Sequence, residues 1–543
     1  MKASACAAAP IHPRCRRRSR RRARVKRLRL PSVVAATLVP LCDHADAQSP
    51  ARGLHIEEAT IADLEAAYRS GATTATSVVE ACLGRIRAYD TAGPQLKVVI
   101  FLNPRALEEA AALDAELRRS GRPAGPLHGI PVLLKDNINT HDMPTTAGSL
   151  SLEGYTPAHD ATVTRRLRAA GAVILAKVNL HEFALWGETV SSIVGQTRNP
   201  YDLSRTPGGS SGGTGAGLAA GFAIAGLGTD TVNSIRSPAS ANSIVGIRPT
   251  LGLVSRAGVI PYSPTQDAVG PLARTVADAA RVLSVIAGYD PEDPATAASR
   301  AQPPPDYTRF LRADGVRGKR LGVLRSFFGA GAAHAEVNAV AARAIEDFKR
   351  LGATVIDLRT PDLDSGRIAS DVSVHLYELK PALNAYLADA GAPVRSLAEV
   401  IGSGRFHPNV GDSLRKAQGL ELDDEYRLRL RRRAELQQRV LEIMAEAQLD
   451  ALVFPHQQRL VVPIGETQSE RNGALAAVTG FPSIVVPGGF SAPTPMAGLG
   501  VPVGIELLGR PWSEPVLIEI AYGYEQATRH RRPPLTTPPL KDH

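Results

Sequence analysis

Pro207-Gly208-Gly209-Ser210-Ser211-Gly212-Gly213-Thr214-Gly215-Ala216-Gly217 is the most unusual stretch of this chain, and it runs straight into Ala-rich sequence of helical character. Glycines in such density allow backbone shapes closed to other residues. Taken alone, the stretch has several readings. A phosphate-cradling loop would close on Gly-Lys-Ser/Thr, which is absent here. Gly208 to Gly212 also fits the G-x-S-x-G elbow of an α/β-hydrolase, with Ser210 as the nucleophile of an esterase. That alternative needs an acid and then a histidine downstream. His334, His375, His407, His456 and His530 are present, but nothing around them nominates one.

Outward from this loop, two further segments stand out. Upstream lies Gly129-Ile130-Pro131-Val132-Leu133-Leu134-Lys135-Asp136-Asn137, a short apolar run ending on a lysine. Downstream lies Gly228-Thr229-Asp230-Thr231-Val232-Asn233-Ser234-Ile235-Arg236-Ser237-Pro238-Ala239. Around them, β-rich runs alternate with helical ones: Ile130 to Leu134 and Ala172 to Ala176 read as strands, and Thr162 to Ala170 as a helix. Such alternation predicts an α/β sheet. Ile61 to Tyr68 and Ser77 to Tyr89 carry apolar residues at helical spacing and predict amphipathic surface helices. The Pro/Ala-rich Tyr289 to Tyr307 reads as a long surface connection, and a new strand-helix-strand pattern starts at Leu321. Asp423 to Glu446 predicts a charged helix whose Arg431-Arg432-Arg433 run is a solvated face.

With these three segments in this order, the chain resembles the amidase-signature family. The likeness extends over nearly the whole chain beyond the leader, through Thr145-Thr146-Ala147-Gly148-Ser149, Thr197-Arg198-Asn199-Pro200 and the closing Val501-Pro502-Val503-Gly504 to Gly509-Arg510-Pro511. The resemblance implies an α/β fold with a mixed, twisted central β-sheet flanked by helices and a cleft over its Gly/Ser-rich loops. It further implies that Lys135, Ser210 and Ser234 form a Ser-Ser-Lys triad, with the peptide before Ser210 in the cis form and Ser211 donating a supporting hydrogen bond.

The chemistry asks for these residue types together. An amide carbon is a poor electrophile, so the attacking hydroxyl must lose its proton and the departing amine must gain one. A lysine serves as base only if burial brings its pKa down from about 10.4, and Lys135 follows an apolar strand, as that requires. Ser210 both accepts and donates, so it can relay a proton between Ser234 and Lys135. The developing oxyanion needs donors already in place. By resemblance, the backbone N–H groups of Thr231, Val232, Asn233 and Ser234 lie where that cradle is built. The family's commonest pattern has Gly-Gly where this chain has Val232-Asn233. Backbone N–H groups survive such a change and Asn tolerates left-handed angles, which predicts a cradle that persists with a narrower mouth and restricted substrates; Val232 is less forgiving, and a need for positive φ there would mark an inactive relative. Asp230 and Arg236 flank Ser234 at a spacing that lets them pair and brace the loop.

The remaining sequence limits what the protein does. Met1–Ala47 holds 12 of the 63 basic residues and 2 of the 53 acidic ones, so the rest carries 51 of each. A body without net charge offers phosphate backbones no general attraction, which argues against nucleic acid as a partner. The leader has an Arg-rich stretch through Arg29, an apolar run from Leu30 to Cys42 and Ala45-Asp46-Ala47. This order predicts an export signal cleaved after Ala47, with Ser19-Arg20-Arg21 hinting at twin-arginine export. The apolar run is well short of the roughly 20 residues that span a bilayer, so no stable membrane anchor is expected. Residues 48–535 are read as one catalytic domain and 536–543 as a tail. Outside the leader only Cys82 remains, which excludes an internal disulfide or a cysteine-based zinc site. No His, Asp and Glu spacing suggests a metal, and no cofactor is expected.

Lys177, also after an apolar run, reads as structural or surface. His181 and Glu182 are unassigned pocket candidates. Substrate choice is expected in Ser326 to Ala333 and Val372 to Pro408. The expected partner is a small-molecule amide; the alternative is an amidase-like component of a tRNA-dependent amidotransferase, against which the export-like leader argues.

Overall fold

Ile130, Val132, Leu133 and Leu134 are 0% exposed, which places this apolar run inside a sheet covered on both faces. Burial of each such Leu stabilises the fold by about 1.5–3 kcal/mol. The computed structural model describes residues 55–388 and 391–540; the expected leader lies outside the described residues.

In chain order the strands are β1 (Val99–Leu102), β2 (Pro131–Lys135), β3 (Val173–Val178), β4 (Val190–Ser191), β5 (Gly195–Gln196), β6 (Ala225–Asp230), β7 (Val245–Arg248), β8 (Ala268–Ala273), β9 (Arg320–Leu324), β10 (Thr354–Leu358), β11 (Ala451–Pro455), β12 (Ser483–Phe490) and β13 (Pro502–Leu508). β4 and β5 form a hairpin, and the others make one 11-stranded sheet in the order β1-β3-β2-β6-β8-β7-β12-β13-β11-β9-β10. Parallel pairings, β3-β2-β6 on one side and β11-β9-β10 on the other, enclose an antiparallel centre. This is the mixed sheet flanked by helices that the resemblance implies.

The helices follow their local signals. Ile61–Ser70 begins at a Thr60/Asp63 capping box and stops at Gly71 in the left-handed conformation, which satisfies end groups that the helix cannot satisfy itself. Ala75–Ile86 and Thr162–Ala169 match the expected helices within a few residues. Asp424–Glu446 forms one helix, but the solvated-face reading of its arginine run needs correcting. Arg433 is 8% exposed, and its Nη1 donates to Thr265 Oγ1 at 2.8 Å. Near the other end of the chain, Arg85 is buried and donates to the Thr537 carbonyl at 2.7 Å, pinning that segment to the body.

The parallel run β3-β2-β6 positions the site. Register pairs Lys135 with Val178, and Leu134 with Lys177. Side chains alternate faces along a strand, so Lys135 leaves one face of the sheet while Asp136 and Lys177 leave the other. The helix Gly212–Ala219 covers the Lys135 side, carrying Ser210 and Ser211 at its start. Gly213 lies against the Asn179 backbone with no space for a Cβ, so the helix can settle this close only with glycine there.

Candidate active site

Lys135 ends β2 and is fully buried. Its Nζ lies 2.7 Å from Ser210 Oγ and donates to Thr229 Oγ1 at 2.8 Å and to the Thr229 carbonyl at 3.3 Å. Asn137 Nδ2 donates to the same Thr229 Oγ1 at 3.1 Å. No carboxylate pairs with Lys135 among the described residues. Burial therefore drives its ammonium down to about 7, a shift that the charges of Asp230 and Asp267 oppose only in part. Sequence alone does not single out Thr229 or Asn137. Their one signal is adjacency, Thr229 beside Asp230 and Asn137 two residues past Lys135.

Ser210 is 0% exposed, its peptide bond with Gly209 is cis, and Ser211 Oγ donates to the Thr229 carbonyl at 3.2 Å. No histidine side chain bonds the Ser210 hydroxyl among the described residues. With its hydroxyl turned to Lys135 at the sheet, Ser210 has neither the exposure nor the partner of an elbow nucleophile, and the esterase alternative falls. Ser234, 5% exposed, faces a cleft of about 330 Å³ that Trp186, Val232, Asn233 and Tyr262 also line. No side-chain hydrogen bond joins Ser234 to Ser210 among the described residues. Their loops meet through the backbone, Ser211 N donating to the Ser234 carbonyl at 3.2 Å.

The turn from Thr231 to Ser234 has all its carbonyls occupied. Gln266 Nε2 donates to Thr231 O at 3.1 Å, Arg236 Nη2 to Val232 O at 2.8 Å, Ser237 N to Asn233 O at 2.7 Å and Ser211 N to Ser234 O. None of the four N–H groups meets a protein acceptor among the described residues. Each carbonyl of the turn is taken, while among the described residues its N–H groups stay unused beside the cleft. Neither Val232 nor Asn233 has positive φ, so the backbone turn forms without the glycines of the commoner pattern.

Behind Ser234, Arg236 holds Asp230 with two contacts of 3.1 Å and also bonds Glu506, while Arg248 Nη1 reaches Asp230 Oδ1 at 2.9 Å. Burial alone would raise the Asp230 carboxyl, but the two guanidiniums more than offset it and hold it below the ordinary carboxylate range. The expected Asp230–Arg236 brace is thus half of a larger buried network. His181 and Glu182 do not line the cleft. His181 Nδ1 sits 3.2 Å from Glu188, and Glu182 accepts from the Ser192 and His407 backbones. Lys177 is buried, not at the surface, with Nζ 3.2 Å from Asp136 Oδ1. His141, Asp142 and Asp160 cluster tightly enough for a metal, but they lie away from the cleft and both carboxylates pair with Arg168. Of the two segments expected to govern specificity, only Val372 to Pro408 reaches the cleft, through His375.

Residues 77–518 match the family model for Amidase. The chain belongs to the amidase family. It is 38% identical over 494 residues to an Arabidopsis thaliana protein described as a probable amidase, covering 88% of this chain and 92% of the relative. A glutamyl-tRNA(Gln) amidotransferase subunit of Chloroflexus aggregans is 36% identical over 494 residues, 88% of this chain and 98% of that protein. The solved structure of the native peptide amidase of Stenotrophomonas maltophilia superposes with a TM-score of 0.79 at 42% identity, covering 88% of this chain and 98% of that one. The amidase family and its large mixed sheet make this chain an amide-hydrolysing enzyme.

Proposed function

We propose that the chain hydrolyses carbon–nitrogen bonds of non-peptide or short amides through an acyl-enzyme, with Ser234 as nucleophile, Ser210 as proton bridge and Lys135 as base. The observation that carries this reading is the fully buried Lys135, brought down to about 7 with its Nζ 2.7 Å from Ser210 Oγ. A neutral amine has two N–H bonds and one lone pair. Thr229 Oγ1 and Thr229 O take the two N–H groups, which leaves the lone pair for the Ser210 hydroxyl. As Ser234 attacks the carbonyl, its proton passes to Ser210 while the Ser210 proton passes to Lys135. The N–H groups of the Thr231–Ser234 turn hold the oxyanion. The protons return by the reverse route to the departing ammonia or amine, and water then releases the carboxylic acid. The open gap between the serine hydroxyls is the kind of contact that closes when substrate is bound.

Labelling with a fluorophosphonate probe followed by peptide mapping tests this reading. Label at Ser234 that vanishes in Ser234→Ala and falls steeply in Lys135→Ala supports it, and label at Ser210 defeats it. A second reading, as the amidase-like component of an amidotransferase, is favoured by the relative from Chloroflexus aggregans. Ammonia release from simple amides by the purified chain, without ATP or a partner, would set it aside. Export to the periplasm or medium is part of the first reading, and the mass of the mature N-terminus checks it.

A further inference from the structure

Other buried arginines among the described residues spend most of their donors on protein acceptors, although a single Nε, as in Arg274, stays without one. Arg274 donates to the carbonyls of Ala223 and Ala59, each at 2.6 Å, and Arg236 spends its fork on Asp230, Glu506, Val232 O and Gly473 O. Arg471 is different. It lines the cleft that Ser234 faces, yet among the described residues its side chain makes no hydrogen bond, ion pair or ring contact. A guanidinium carries five donors and keeps its charge, so leaving one half-buried and unpaired is costly unless a ligand completes it.

The surroundings compensate that charge only in part, through Glu188, which no hydrogen bond joins to Arg471 among the described residues. Glu188 is committed to His181 Nδ1 at 3.2 Å, to Gly187 N at 3.1 Å and to Gln468 N at 2.9 Å. Glu470, the one carboxylate lining the cleft, lies 3.2 Å from His334 Nε2 and 3.8 Å from Arg459. His375, also in the lining, is driven by burial and by neighbouring cations down to about 4, so it is neutral and adds no second positive charge. Burial lowers the Arg471 guanidinium, with Glu188 and Tyr262 opposing only in part. Arg471 Nη1 occupies the space that a Cβ at Gly187 would take, so a side chain there would push the guanidinium aside.

We propose that Arg471 selects the substrate by taking a carboxylate carried on the amide, gripping it with two parallel N–H bonds while the amide carbonyl sits at Ser234. The substrate class is then an amide with a second, anionic end, such as the monoamide of a dicarboxylic acid. This assignment rests on the amidase reading above. A charge-assisted, bidentate contact favours such substrates by on the order of 10–100-fold over neutral ones.

The experiment measures kcat/KM for monoamides of three- to six-carbon dicarboxylic acids against straight-chain alkyl amides of equal length. It uses the wild type, Arg471→Met, Arg471→Lys and Gly187→Ala. A wild-type preference for at least one carboxylate-bearing amide that collapses toward unity in Arg471→Met, survives in part in Arg471→Lys and weakens in Gly187→Ala supports the proposal. Equal rates on both series in the wild type, or an equal loss on both in Arg471→Met, overturns it. Calorimetric binding of the free dicarboxylates separates its failure from that of the amidase reading. Binding that disappears in Arg471→Met upholds Arg471 even where no amide is turned over, and equal binding by both proteins defeats it.

Discussion

Lys135 and Lys177 sit on adjacent parallel strands, each closing an apolar run and each fully buried. They differ in the face of the sheet they leave. Asp136 follows Lys135 in sequence, but alternation turns it to the opposite face, where it meets Lys177 at 3.2 Å. Thr146 Oγ1 and the Thr146 backbone also donate to Asp136, so Lys177 joins a hydrogen-bonded ion pair. Burial lowers Lys177 while the charge of Asp136 pulls it back. Lys135 has only hydroxyl and carbonyl partners, and its proton is held loosely enough to leave near neutrality. Two lysines equal in burial thus differ, one held in an ion pair and one lowered as the proposed base requires, according to where one carboxylate points.

The largest expected effects come from removing each lysine. Lys135→Met should lower kcat/KM by at least about 10²–10⁴-fold, the ordinary contribution of a general base. It should also make the protein more resistant to urea at pH 7, because the cost of holding a buried lysine near 7 disappears. Lys177→Met should act in the opposite sense, leaving Asp136 buried without its partner and costing about 3–5 kcal/mol in urea unfolding. If Lys135→Met destabilises as much as Lys177→Met, the contrast between them is wrong.

A pH series is next in size. The rate constant kcat/KM should rise with pH through a midpoint near 7 as Lys135 becomes neutral. Stability carries the same signature. A lysine whose pKa is lowered by folding binds fewer protons in the folded state than in the unfolded state from about 7 to about 10.4. The wild type should therefore gain stability with pH across that window relative to Lys135→Met, by up to about 5 kcal/mol. A flat difference between the two proteins would mean that Lys135 keeps its proton.

How far the sequence can be read follows the same division between strand and loop. Strand runs such as Ile130 to Leu134 are legible because burial leaves marks within a few residues, whereas Lys135, Ser210 and Ser234 are singled out only by the resemblance that their three ordered motifs carry. The Asp230–Arg236 pair is legible as a local spacing, but Arg248 and Glu506 come from β7 and β13, and only the sheet order brings them in. Lys177 reads only as structural or surface, and the choice between the two stays open in sequence because its partner is 41 positions away. Arg471 stays hidden for a related reason: its significance is the lack of a partner, and a lack is visible only once every neighbour is placed. Ser326 to Ala333 reads as a segment that governs specificity, but Phe327 packs against Phe454 in the core.

Thr229→Val tests the support of the base rather than the base itself. It removes the hydroxyl that Lys135 and Asn137 share while leaving the Thr229 carbonyl in place. One lost hydrogen bond to a buried amine is worth about 1–1.5 kcal/mol, so kcat should fall about 10-fold. The pH midpoint should move as well, which a merely structural change would not produce.

Asn233→Gly should give the smallest effect, and it tests the cradle most directly. If the oxyanion is held by backbone N–H groups, removing the Asn233 side chain leaves every donor where it was. Loss of even one such donor would lower kcat by about 10²–10³-fold. A small amide should therefore react within a few-fold of the wild-type rate. A bulky acyl amide should gain, because the side chain that narrows the mouth is gone. Asn233 Cβ packs against Gly473 where no further atom fits, so glycine at 233 loosens this contact and makes a small loss of stability part of the expected result. A loss of about 10²-fold or more on the small amide, with the fold intact by urea titration, would mean that the Asn233 side chain and not the backbone turn stabilises the charge.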